Sequence, residues 1–225
     1  MQPVDYAGAN AAVVAGFEAR DRANQSGGFW SDDAVGPVKS AIKTHYIAEQ
    51  NRKCCYCDRD LGTNHHGIWD CEHVIARATH PQWMFTPRNL AVSCKDCNLA
   101  KSDDRVLKNP GRITFPSKSA DYVIVHPHLD EYHDHIRWMG TVPRPNGSQK
   151  GKNTIVMCDL LRFSAQEAAI PSSPGDRRFD ALVGDLMRRP GPDDSVMILG
   201  ALAAALGTVP AGPPPAVPTE GDPEA

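Results

Sequence analysis

The chain has 225 residues, 41% of them hydrophobic, with a net charge of −3 and a pI near 6.3. That length supports one good-sized core plus tails, and no apolar run reaches the roughly 18 residues a membrane span needs. The acidic balance excludes the broad basic footprint of a protein that captures nucleic acid unaided. No secretory signal is evident, so a reducing, cytoplasmic setting is expected.

Residues 1–53 are expected to be a helical segment. A helix near Ala11–Ala23 precedes a Gly27-Gly28 break and two aromatics, Phe29 and Trp30, expected to pack on the domain. Val35, Val38, Ile42 and Tyr46 then recur at helical spacing. Pro37 falls in the first turn, where its missing N–H is tolerated. This helix runs to about Lys53 and feeds the first cysteine pair.

Residues 54–105 carry the chemistry. Cys54/Cys57 and Cys94/Cys97 form two Cys-x-x-Cys pairs. Four soft thiolates in two knuckles suit a tetrahedral structural Zn²⁺. Their separation exceeds the roughly 15–20 residues of a simple zinc ribbon, so something is inserted between them. The insert opens with GIWDCEHVIAR, which is apolar and β-branched and reads as a strand holding Glu72 and His73. Neighbouring strand residues point to opposite faces, so those two share a site only if the strand ends or twists there. His65 and His66 precede it as exposed turn residues. Asn89 opens RNLAVSC after a turn at Pro87, and SCKDCNLAKSDD reads as a helix entered through the second knuckle, with Ser93 as N-cap. Asn98 and Lys101, three apart, share one face of it. Lys95, Lys101, Arg105, Lys108, Arg112 and Lys118 make a local basic patch that would touch a phosphate backbone. His80, in the loop before Asn89, is a further substrate contact.

Residues 106–206 read as a mainly helical support region. Tyr122–Val125 is a nearly continuous apolar run, expected as a buried strand. His126, His128, His133 and His135 follow with Asp130, and packing or lining the cleft is the expectation over a second metal site. Asn146-Gly147 signals a turn within a loop or hairpin at 140–153. Helices are expected over Thr154–Phe163, Gln166–Ile170, Phe179–Met187 and Val196–Leu206. Cys158 reads as a buried free thiol, and Cys55 and Cys71 likewise take no part in the knuckles. Residues 207–225 are Pro- and Gly-rich and are expected to be disordered. The fold class is thus α+β, mainly helical.

The order Cys-x-x-Cys, Glu-His, Asn-Leu-x-x-x-Cys-x-x-Cys-Asn-x-x-Lys resembles that of the HNH endonucleases. The resemblance implies a small ββα-metal core with a four-cysteine zinc site, surrounded by helices. It implies His73 as general base, Glu72 and Asn98 as ligands of a catalytic Mg²⁺ or Mn²⁺, and Asn89 as the residue that orients His73. Glu72 stands where Asp is common in the family. The chemistry suits these types: an imidazole has the right intrinsic basicity to activate water, and a hard cation on oxygen ligands offsets charge at the phosphate. The segment after residue 120, with GKNTIVMCDLLRF, resembles the larger HNH proteins of Septu-like and retron-associated anti-phage systems. That implies nucleic acid as substrate, DNA or RNA, and an ABC/AAA-type ATPase as partner. The competing reading is a non-catalytic zinc-binding adaptor docked on a nucleic-acid-bound partner.

Overall fold

The apolar stripe at residues 35–46 becomes a helix because all of it is buried. A computed structural model of the protein describes residues 1–167 and Leu199. The chain divides into two units, Met1–Phe163 and Ser164–Ala225, and the first is treated below. The expectations for residues 168–225 lie outside the described residues, Leu199 apart.

Helix α1 (Gly8–Glu18) starts and stops earlier than expected and buries Val14 and Phe17. Phe17 stacks on Phe29 at 5.1 Å and meets Phe85 edge-on at 5.3 Å. Helix α2 (Gly36–Glu49) has Pro37 in its first turn and buries Val38, Ile42, Tyr46 and Ile47. At about 1.5–3 kcal/mol for each large apolar side chain removed from water, that stripe outweighs any local propensity. The Tyr46 hydroxyl donates to the Pro87 carbonyl (2.7 Å) and accepts from Val4 N–H (3.0 Å), tying the N-terminus to a loop far along the chain.

Strands β1 (Trp69–His73) and β2 (Leu90–Cys94) pair antiparallel, from Trp69 opposite Cys94 to His73 opposite Leu90. Helix α3 (Lys95–Lys101) follows without a linker, completing a ββα unit. The strand period of two sorts the side chains. Cys71 donates its S–H to the Lys39 carbonyl of α2, whereas Asp70 and Glu72 meet side chains of α3. The two helices therefore sandwich the ribbon. Gln50, at the exit of α2, bonds its carboxamide both ways to the backbone of Val92 (2.8 Å each) and fixes the register of β2.

After α3 the expected strand at Tyr122–Val125 does not form. Leu107 and Tyr122 make an isolated bridge, and Val123 N–H bonds to Val106 O at 2.8 Å. Side chains take the remaining groups: Thr154 Oγ1 accepts from Val125 N–H, and Asn153 donates to Val123 O. The run is buried, but helix side chains rather than a neighbouring strand satisfy its backbone. A four-residue helix, α4 (Tyr132–His135), leads into the hairpin β3 (Ile136–Met139)/β4 (Val142–Pro145). Its turn lies at Gly140, with φ of 61°, rather than at Asn146-Gly147. Asn146-Gly147 instead precedes α5 (Gln149–Met157), which Ser148 caps by accepting from Gly151 N–H. That helix begins before the expected Thr154. Gly151 is required there, since a Cβ would run into the His135 carbonyl. The short α6 (Arg162–Glu167) begins next to the cysteine pairs.

Candidate metal centre and catalytic cleft

The first knuckle folds tightly because Cys54 N–H bonds to Arg59 O and Asp58 N–H to Cys54 O, with Asp58 at φ of 54°. Cys55 N–H reaches Val92 O, which docks this knuckle on β2. The second knuckle is the β2–α3 junction. There Cys94, not Ser93, caps the helix, its sulfur accepting from Cys97 N–H at 3.4 Å. The four sulfurs of Cys54, Cys57, Cys94 and Cys97 lie within 4.8 Å of one another, the one such cluster among the described residues. A tetrahedral zinc with bonds near 2.3 Å places its sulfurs about 3.8 Å apart, so this quartet fits the ion. Arg162 sets Nη2 at 3.1 Å from Cys97 Sγ and 3.8 Å from Cys94 Sγ. Four thiolates around one divalent cation carry excess negative charge, and a guanidinium offsets it. Cys158 is the expected buried free thiol; Cys55 and Cys71 are free and half-buried.

Glu72 and His73 come together because β1 stops at His73. With Asn98 they line one cleft of ≈ 370 Å³, which also includes Trp30, Arg77, Ser102 and Asp103. His73 Nε2 lies 3.1 Å from the Met84 carbonyl, which can only accept. Nε2 therefore carries the proton and Nδ1 keeps the lone pair. Trp30 meets the imidazole edge-on, with ring centroids 4.5 Å apart. Burial, and then the nearby charge of Arg77, hold the His73 pKa down to about 3, so the ring is neutral at physiological pH.

Glu72 is 1% exposed. Lys101 Nζ pairs with its Oε1 at 2.7 Å, and the Tyr56 hydroxyl donates to the same oxygen at 2.8 Å. Oε2 remains as the second acceptor. Burial pushes the carboxyl above its ordinary value, against the pull of Lys101 and Tyr56. Lys101 also donates to His73 O at 3.1 Å. It is thus a buried partner of the site, not the solvent-facing phosphate contact expected from sequence.

Asn89 acts through the backbone. Fully buried, it accepts from Ile75 N–H at 2.8 Å and donates to Ile75 O and Trp83 O. It pins the exit of β1 to the segment just before Met84. Asn98 donates Nδ2 to Asp70 Oδ2 at 3.0 Å. An ionised carboxylate offers no donor, so the amide must turn Nδ2 toward it and leave Oδ1 as its acceptor. Asp70 escaped sequence reasoning; its position two residues before Glu72, on the same strand face, was the available signal.

The basic patch is thinner than its count. Lys95 pairs with Asp70 at 3.0 Å and Arg112 with Asp121 at 2.7 Å, and Lys101 is buried. Arg105 is exposed, and with His80 it lines a neighbouring hollow of ≈ 340 Å³ that shares Ala76 with the main cleft. His80 stacks on Trp83 at 4.5 Å and bonds to Pro110 O. His126 and His128 stay off the cleft: His126 is buried against Tyr122, and His128 bonds to Leu90 O at 2.8 Å. Asp130 is tied to Lys150, Ser119 and His126 N–H, which is a structural knot.

The chain is 28% identical over 122 residues to the Septu protein PtuB of Bacillus thuringiensis, a match covering 54% of this chain and 42% of the relative. The match thus spans less than half the length of that relative. No family profile matches the sequence, and no solved structure matches it. No helix among the described residues is long and apolar enough to cross a membrane.

Proposed function

We propose that the protein is a metal-dependent HNH-type endonuclease, the nuclease effector of an anti-phage defence complex. One observation carries the reading: a neutral imidazole with a free Nδ1, a carboxylate and a side-chain amide oxygen converge on one cleft beside a four-cysteine cluster. The similarity to a Septu protein supports the defence role, and an ATPase partner of the ABC/AAA type is what the resemblance in motifs implies. The net charge of −3 supports a partner that delivers the nucleic acid, DNA or RNA.

Zinc on the four cysteines would lock the ribbon to α3. Glu72 Oε2 and Asn98 Oδ1 are hard oxygen donors that suit Mg²⁺ or Mn²⁺, which would supply charge neutralisation at the scissile phosphate. His73 Nδ1 takes a proton from the attacking water while Met84 O holds the ring's orientation. A phosphate entering the cleft raises the basicity of that imidazole, because an adjacent anion favours the protonated form. Asn89 keeps the loop behind His73 from shifting.

The test is cleavage of plasmid DNA and total RNA with Mn²⁺ or Mg²⁺, alone and with an ABC/AAA-type ATPase as candidate partner. His73→Ala should abolish cleavage and leave zinc content unchanged; full activity in that variant removes His73 from the mechanism. The buried Lys101 on Glu72 favours a second reading, a non-catalytic zinc adaptor in which the ammonium stands where a cation would. It predicts no metal-dependent cleavage under any of these conditions.

A further inference from the structure

We propose that Arg77 is the residue that grips the substrate phosphate in this cleft. The inference rests on the nuclease reading for the identity of the ligand, and on the following geometry for the site itself. Arg77 lines the same cleft as Glu72, His73 and Asn98. It is half-buried, and it has no carboxylate partner among the described residues. A guanidinium has five N–H donors, and Arg77 spends one, from Nη1 to Gly27 O at 3.3 Å. The remaining donors form a planar fork with no counter-ion in a partly desolvated wall. Such a half-buried fork offers a charge-assisted site to an anion. The fork matches two oxygens of a phosphodiester, as a lysine's point charge does not.

The wall that holds Arg77 is built for it. A Cβ on Gly27 would sit 2.8 Å from the Arg77 carbonyl, so only glycine lets the two backbones approach this closely. The same 3₁₀ turn, Gly27–Ser31, carries Trp30 against the His73 ring. One short N-terminal segment thus fixes both the base and the proposed phosphate clamp. This gives the Gly27–Trp30 stretch, expected from sequence to be a break followed by packing aromatics, a role at the site. A nucleotide strand whose scissile phosphate met Arg77 would run on past Ala76 toward Arg105 and His80 in the adjoining hollow.

The experiment is fluorescence anisotropy of the full zinc-loaded chain with a labelled oligonucleotide at low salt, with no Mg²⁺ or Mn²⁺ added, so that no cleavage is needed. Arg77→Gln should weaken binding about 10–100-fold, the range for losing a charge-assisted pair. Its salt slope should fall by about 0.7–0.9, equivalent to one phosphate. Arg77→Lys should recover part of the affinity. Wild-type affinity and slope in Arg77→Gln overturn the proposal, as does failure of the wild-type chain to bind at low salt. Should Arg77→Gln lose its zinc or its fold, the wild-type protein is tested with single methylphosphonates walked along the strand. One position should then lose the same factor, and no loss at any position overturns the assignment. Binding that depends on Arg77 in a chain that never cuts would sink the nuclease reading and leave the phosphate site standing.

Discussion

Replacing Lys101 with methionine tests the least expected feature of the site. The ammonium and the Glu72 carboxylate are 1% and 2% exposed and 2.7 Å apart, so solvent screening does not dilute the pair. Removing one partner of a buried ion pair costs about 3–5 kcal/mol, because the other charge is stranded. Tyr56 still donates to the stranded oxygen, which places the loss near the low end, about 3 kcal/mol. A domain of this size loses about 2–4 °C of melting temperature per kcal/mol, so Lys101→Met should melt about 6–12 °C below wild type. An exposed phosphate-binding lysine would cost no more than about 0.5 kcal/mol. The assay is thermal unfolding by circular dichroism with zinc in excess. A Glu72→Gln/Lys101→Met double variant should recover most of the loss, since it leaves no bare charge. A single variant melting within about 2 °C of wild type would refute the pairing and return Lys101 to the surface.

Three other outcomes follow from the geometry. The purified chain should carry one zinc by elemental analysis; Cys57→Ser should lose it and unfold, because metal binding supplies folding energy, whereas Cys158→Ser should keep it. Asp70→Ala should weaken Mn²⁺ binding about 10–100-fold, the usual effect of losing a group that orients a ligand; isothermal titration that shows no change would remove Asp70 as the orienter of Asn98. His126 is neutral in the folded protein because burial, then His128, pull its pKa down to about 3. The unfolded chain therefore takes up the proton first, and stability falls as pH drops from about 6.5 toward 3, by up to about 1.4 kcal/mol per pH unit. Denaturant unfolding at pH 7.5 and 5.5 should show the gap between wild type and His126→Gln narrowing at the lower pH, and a constant gap contradicts it.

The cysteine knuckles and the ββα order were legible because they rest on local chemistry: paired thiols at fixed spacing, an apolar strand, a helix entered through a cap. Glu72, His73 and Asn98 could be named, and the structure sets all three on one cleft. What sequence hid was partnership. Lys101 read as a surface cation because lysine is almost always exposed, yet a carboxylate on β1 draws it inward. Tyr122–Val125 read as a strand because its burial is continuous, but burial does not name the neighbour that takes the backbone groups, here Asn153 and Thr154. Arg77, Asp70 and Trp30 carry no motif. They are visible only once the turn at Gly27 and the end of β1 are folded together.

Cys94 ends β2, opens α3 with its sulfur as the cap, and belongs to the thiol quartet. An electrophile or peroxide that consumed this one atom would take away a metal donor and a helix anchor in the same event. The helix so released is the one that bears Asn98 and Lys101. Damage at the knuckle would therefore displace two residues of the site without touching either. Serine at this position, which preserves the cap but binds zinc poorly, would tell the two losses apart.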